Sequence, residues 1–414
     1  MLRSHSCAES VSVSDPNHLR YGRHLTGDEV NQLIQPTQES IHAVHEWLFD
    51  NEISQSRLKY SPASDWISVT LAVHEAEKLL DTKFSVFVHE DGSHLVRTPQ
   101  WSLPVQVHAH VQTIQPTTTF FRPRAKKTAF KAISVADSLV SEVELVGRTT
   151  APKSCNASAV TSTCLRSLYG YCPEQHNTLK SDKRTGTIDY SVQSASNNSI
   201  GLTNYLGEAN NRSDVFIFLD KYRPEAKAAA YDFIVDVIAN GDNQQTPNNA
   251  TQLAAGKDKE GNLDAETILG MTWPTHLTAY NTGGSPQYIP DKLTVNNTNE
   301  PYLTWLQYIL AQPDIPQVIS TSYGDDEQTV PLSYATAVCN GFAQLGARGV
   351  SVLFASGDQG VGAIGDCVTN DGKNTTTFLP QFPGSCVSLI QFLCAKSSAD
   401  TCILSRMSLL WAQQ

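Results

Sequence analysis

Glu260 and Asp264 stand four residues apart in the run Lys259-Glu-Gly-Asn-Leu-Asp-Ala-Glu266. On a helix that spacing puts both carboxyls on one face, with Cβ atoms roughly 6 Å apart, where they could share one proton or pass it onward. A second candidate lies downstream, where the apolar run 349–355 ends in Ala355-Ser-Gly-Asp-Gln-Gly360. A strand there would hold Ser356 and Asp358 at its carboxyl end, the place where open α/β sheets build their sites. Taken singly these signals are weak. A charged pair at a helix start is also favoured by the helix dipole, and Gly-Asp turns form for backbone reasons alone. Ser356 lacks the G-x-S-x-G surroundings of a nucleophile elbow, because Phe354 occupies the first glycine position. A cytoplasmic enzyme using Ser356 as nucleophile would need a base beside it, and none is evident. Beyond residue 110 the only histidines are His176 and His276, so a Ser-His-Asp triad has no support, and no His/Cys/Asp/Glu run shows metal-ligand spacing.

The elements that must position these residues fall into two textures. Residues 14–121 read as an α+β unit of ferredoxin-like pattern. Thr26-Gly-Asp-Glu29 fits a capping box before a helix carrying Val30, Leu33 and Ile34, and Ile41, Val44, Trp47 and Leu48 mark a second helix. Strand-like runs at 66–73 and 83–89 flank a short charged helix at 74–80. Residues 122–152, opening on the basic, proline-punctuated Arg122-Pro-Arg-Ala-Lys-Lys127, read as a linker. From 153 to 386, buried strands at 200–206, 317–322 and 350–355 alternate with helices at 226–239, 264–271, 302–311 and 333–345. That alternation predicts an α/β, mostly parallel sheet covered by helices on both faces.

The chain has 414 residues, enough for two or more domains. Hydrophobic residues at 40% and charged ones at 17% describe a globular protein rather than a disordered one. A net charge of −11 argues against a nucleic-acid partner, and no stretch has the ~20 apolar residues of a membrane span. Six N-x-S/T sequons, at Asn156, Asn197, Asn211, Asn249, Asn296 and Asn374, suit a secretory compartment, and nine cysteines leave at least one unpaired if all the others form disulfides. Among these, Cys155–Cys164 and Cys367–Cys386 are the candidate disulfides. Residues 1–13 contain no apolar core of a signal peptide.

In order along the chain, Glu260-Gly-Asn-Leu-Asp264, Ile319-Ser-Thr-Ser-Tyr-Gly-Asp325, Ala355-Ser-Gly-Asp-Gln-Gly360 and Phe378-Leu-Pro-Gln-Phe-Pro-Gly-Ser-Cys386 closely resemble the sedolisin, or serine-carboxyl peptidase, family in its fungal secreted tripeptidyl-peptidase branch. The resemblance implies a subtilisin-like fold preceded by an inhibitory and chaperoning propeptide, here residues 14–121, released after cleavage within 122–152. It implies Glu260 as general base and then general acid, Asp264 as its orienting partner and Asp358 in the oxyanion hole. It also implies an extracellular monomer that removes tripeptides from free amino termini of polypeptide substrates at acid pH, and a calcium ion held by a carboxyl-terminal loop.

The resemblance ends at Cys386. Residues 387–414 contain neither glycine nor proline, and the Gly-Thr-Ser nucleophile motif and the calcium loop of the family are not found. The expectation is a chain truncated at both ends, with an incomplete peptidase domain at 153–386, a divergent tail and no nucleophile, hence inactive as a peptidase. A non-catalytic alternative is a propeptide-type inhibitor that binds intact relatives.

Overall fold

The computed structural model describes residues 12–13, 17–88, 94–120, 160–168, 197–292, 294–355 and 367–386. The linker at 122–152, the tail at 387–414 and all but two of residues 1–13 lie outside these residues.

The amino-terminal unit opens on two helices, α1 (Gly27–Ile34) and α2 (Gln38–Asp50). The capping box at the start of α1 is formed in both directions. Glu29 Oε2 accepts the Thr26 N–H at 2.8 Å and Thr26 Oγ1 accepts the Glu29 N–H at 3.3 Å. Strands β1 (Leu58–Tyr60) and β2 (Ile67–Val69) pair antiparallel, helix α3 (Val73–Leu79) follows, and β3 (Ser85–Val88) pairs antiparallel with β4 (His94–Arg97). Trp47, Leu48, Ile53, Leu79, Leu80 and Val107 form the unit's own core. The expected α+β texture is present, with the described strands arranged as two separate ladders rather than one sheet.

The larger unit is built on five parallel strands. They are β5 (Ser199–Asn204), β6 (Ile234–Ile238), β7 (His276–Thr282), β8 (Val318–Thr321) and β9 (Ser351–Phe354), in the order β9-β8-β5-β7-β6. Helices α4 (Arg212–Tyr222) and α5 (Lys259–Thr272) cover one face, where Leu202, Val215, Leu219, Leu269 and Leu277 are buried together. Helices α6 (Tyr302–Leu310) and α7 (Leu332–Ala347) cover the other, over Tyr280, Trp305, Ile319 and Phe342. This is the mostly parallel, doubly covered sheet expected from the alternation.

One element differs in kind. The helix expected at 226–239 is a single turn, Ala229–Asp232, followed by edge strand β6. The β-branched run Ile-Val-Asp-Val-Ile pairs along its whole length with β7, and that ladder outweighs the helical preference of the alanines before it. Helix α5 starts five residues before the expected Asp264, so Glu260 also lies on it.

The two units touch along α7. Leu25 N–H donates to Ala347 O at 2.8 Å, and Trp66 packs against the core under α6 and α7. The Arg348 guanidinium, against which Gly27 packs, donates to the carbonyls of Leu310, Gln312 and Pro313 at 3.0, 2.8 and 3.1 Å. The carboxyl-terminal end of the described chain is tied to the same helix by a disulfide between Cys339 and Cys386, across a sequence separation of 47. The expected Cys367–Cys386 pair is therefore corrected. A short bridge of Gln381–Phe382 with Asp325–Asp326 returns the chain beside α7, which puts Cys339 within 5.3 Å, Cα to Cα, of Cys386. Cys164 is buried and disulfide-bonded, while Cys155 lies outside the described residues.

Candidate active site

Three asparagines set the ground on which α5 sits. Asn204, the last residue of β5, donates to Asn210 Oδ1 at 2.7 Å and to Asn281 Oδ1, at the end of β7, at 2.8 Å. Asn210 then donates to the Gly261 carbonyl, and the Asn211 N–H donates to Asn262 Oδ1 at 2.7 Å. All three of Asn204, Asn210 and Asn281 are fully buried, so their amides must find partners, and those partners lock the first turn of α5 to the sheet's carboxyl edge. Gly261 is required there, because a Cβ would overlap the Ala209 carbonyl oxygen.

Asp258, at the N-cap position, has a positive φ of 62° and does not cap the helix with its side chain. Its carboxylate instead accepts the Ala209 N–H and an Asn248 amide proton at 3.1 Å each, and the Lys257 ammonium at 3.0 Å. The first turn of α5 is served from another loop: Glu208, 7% exposed, accepts the Gly261 N–H at 3.3 Å.

Glu260 and Asp264 lie one turn apart on α5, both partly buried. Ser322, just beyond β8, donates its hydroxyl proton to Asp264 Oδ1 at 2.8 Å, while Asp264 Oδ2 is buried without a hydrogen-bond partner among the described residues. Burial pushes the Asp264 carboxyl up to about 6. The Ser322 bond works against that rise and the neighbouring charge of Glu208 adds to it. Burial likewise pushes Glu208 up to about 7, opposed by the Gly261 N–H and helped by Asp258. Glu266, farther along α5, is pushed to about 7 by burial and by Asp214. Nothing in the local sequence marks Glu208. Its role depends on a contact with Gly261 across 53 residues.

The four sequence runs singled out above meet at one end of the sheet as far as they are described. Ser322 joins 319–325 to Asp264, Asp325 and Asp326 bridge to Phe382 and Gln381, and the Ala355 N–H donates to Thr321 O at 3.0 Å. Asp358 and Ser356 lie outside the described residues. Of the sequon asparagines, Asn197, Asn249, Asn296 and Asn374 are exposed, Asn156 is outside the described residues, and Asn211 is 5% exposed with its Oδ1 accepting the Ser213 N–H and hydroxyl at 3.1 and 2.6 Å as the cap of α4. Among the described residues, no group of three or more His, Cys, Asp or Glu is placed to hold a metal ion.

Known proteins resemble this chain over most of its length. The sequence profile of the family described as "Pro-kumamolisin, activation domain" matches residues 8–120. A probable tripeptidyl-peptidase SED2 of Trichophyton verrucosum is 36% identical over 380 residues, and a probable tripeptidyl-peptidase SED3 of the same species is 37% identical over 383. The tripeptidyl-peptidase SED2 of Arthroderma otae is 36% identical over 380. Over most of its length this chain is similar to fungal tripeptidyl-peptidases. The activation-domain match lies ahead of the parallel sheet, and 90–91% of the chain aligns with these relatives. The chain spans 58% of the length of each relative.

Proposed function

We propose that this chain carries the acid–base machinery of a serine-carboxyl peptidase that releases tripeptides from the free amino termini of polypeptides at acid pH, with the amino-terminal unit as its intramolecular propeptide. The observation that carries the reading is the Ser322–Asp264 hydrogen bond. It ties the Glu260–Asp264 turn of α5 to the carboxyl end of the sheet, where parallel α/β folds build their chemistry.

In this reading Glu260 takes the proton of the attacking hydroxyl and later returns it to the leaving amine. Asp264, held by Ser322, keeps the Glu260 carboxyl oriented and shares its proton. A carboxyl pushed up to about 6 is protonated in weakly acidic solution, which favours a shared proton over two repelling charges. Asp358 donates to the oxyanion, which a carboxyl can do only while protonated. An unperturbed aspartate protonates near ~4, and one such donor contributes ~3 kcal/mol in the transition state. No described residue is assigned as nucleophile, and no step runs through calcium, for which the described residues provide no fitting donor set. The protein acts outside the cell as a glycosylated monomer.

The test joins this chain to the carboxyl-terminal segment of an active relative, which supplies the attacking serine, and assays the product on a fluorogenic tripeptide amide between pH 3 and 8. Tripeptide release with an acid optimum is expected, and Glu260→Gln lowers kcat/KM by on the order of 10³ or more. Absence of cleavage at every pH sinks the reading.

A second reading, inhibition of intact relatives in trans, is favoured by the separate core of the amino-terminal unit. Titrating the full chain against an active relative tests it, and no inhibition at micromolar concentration ends it.

A further inference from the structure

Helix α7 ends on a glycine turn. Gly349, at φ 85°, donates its N–H to Gly346 O at 2.9 Å, and the Val350 N–H donates to Leu345 O at 3.0 Å. Such a turn asks for glycine on conformational grounds. A second constraint comes from the amino-terminal unit. A Cβ at position 349 would stand 2.6 Å from His24 Cδ2 and 2.7 Å from His24 Cγ, so the imidazole fills the space a side chain would need.

The residues after His24 extend this contact. The Leu25 N–H donates to Ala347 O at 2.8 Å and so serves one of the last carbonyls of α7, which have no partner within the helix. Thr26 gives its N–H to Glu29 in the capping box, so the chain turns into α1 directly after Leu25. Gly27 then packs against the Arg348 guanidinium, whose donors hold the Leu310, Gln312 and Pro313 carbonyls at the end of α6. Residues 24–27 are thus fixed on one side by the cap of α1 and on the other by the ends of α6 and α7.

Beside this contact the seam between the units is not filled. A cavity of about 1290 Å³ has Ile34, Ile41 and Trp66 on one wall and Leu306, Leu310 and Gln344 on the other. Dispersion contacts are forfeited across such a gap, which raises the share of the hold carried by 24–27. The contact is also one that can be given up. His24 remains exposed on its outer side, and the Ala347 carbonyl and the Gly349 backbone would meet water once the unit left, so no polar group would be stranded.

We propose that the turn 348–349 is the docking latch for the amino-terminal unit, and that Gly349 and His24 together set which unit is accepted. The bare glycine takes a planar ring at position 24, and a side chain at 349 refuses it. The partner this surface fits is a propeptide-type unit that presents a ring one residue ahead of the Leu25 donor. The proposal rests on the reading of the amino-terminal unit as an intramolecular propeptide. Once the linker is cut, the latch sets how long that unit stays.

The test uses the full chain with a site for a sequence-specific protease placed within 122–152. After cutting, gel filtration at neutral pH follows the loss of the amino-terminal piece from wild type, His24→Ala, Gly349→Ala and the double variant. His24→Ala should speed the loss roughly fivefold and Gly349→Ala about tenfold or more, since changes at an interface act mainly on dissociation. In the double variant the trimmed side chain makes room for the new methyl, so the piece should leave more slowly than from Gly349→Ala. A His24→Ala piece that leaves at the wild-type rate overturns the proposal, and decides the matter alone if Gly349→Ala does not fold. So does a double variant whose acceleration is the product of the two single effects, because strain in the turn would then account for Gly349 without the ring. Peptide cleavage plays no part in this readout. A chain that cuts nothing yet releases its unit in the expected order keeps the latch and removes only the peptidase reading.

Discussion

Ser322 Oγ lies 2.8 Å from Asp264 Oδ1 and donates to it, joining residues 58 positions apart. Ser322→Ala removes the only influence that draws the Asp264 carboxyl back toward its ordinary range. Its titration should move above about 6. Leaving the buried charge unpaired should cost ~1–3 kcal/mol at neutral pH and less near pH 4, where the group is protonated. Urea denaturation of wild type and variant at the two pH values checks this, and an equal loss at both would contradict it.

Glu208, Asp264 and Glu266 all have folded-state pKa values raised above their unfolded ones, to about 7, 6 and 7. For a raised acid the stabilising form is the protonated one. Its contribution is full below the unfolded value near 4 and is lost as pH rises through 6 to 7. The buried Glu208 contributes on the order of 2–3 kcal/mol as an upper limit, and the partly exposed Asp264 and Glu266 less. The melting temperature should therefore fall from pH 4 to pH 7.5. A profile that rises over that range would refute the assignment.

Gly261→Ala should destabilise the chain even though alanine ordinarily favours a helix interior by ~1 kcal/mol. The added Cβ meets backbone, the Ala209 carbonyl, which cannot swing aside. A loss of ~2 kcal/mol or more is expected from such overpacking. A higher melting temperature in the variant would show that α5 is free to move.

The Cys339–Cys386 bond closes a loop of 47 residues, for which chain entropy gives about 4 kcal/mol. Cys339→Ala should lose much of that, whereas Cys367→Ala should leave this bond intact. Peptide mapping without reduction decides the connectivity directly, since a Cys367–Cys386 peptide would contradict the fold around α7.

Glycan occupancy should follow exposure rather than sequon. In a secreted preparation Asn197, Asn249, Asn296 and Asn374 are available, whereas Asn211 is buried and spends its side-chain oxygen on the α4 cap. Asn211→Gln should cost ~1 kcal/mol as a lost cap without changing the glycan mass. A glycopeptide carrying Asn211 would overturn this.

Periodicity and local chemistry determined much of the frame. The Thr26–Glu29 box, the apolar spacing of α2, α6 and α7, and the runs that became β5, β8 and β9 are short-range signals, because a helix or a buried strand selects its side chains within a few residues. The four-residue spacing of Glu260 and Asp264 was also legible, although the helix expected from Asp264 onward left Glu260 outside it until the structure put both on α5. What the sequence could not show was which distant groups each would meet. Ile234–Ile238 became a strand because β7 offered it a ladder, Cys386 found Cys339 because the bridge at 381–382 turned it toward α7, and Glu208 joined the site across 53 residues. Those outcomes depend on burial and on pairing between segments far apart in the chain. Desolvation, the largest cause of the raised carboxyls, exists only once the sheet, α5 and the loop after β5 have closed around them.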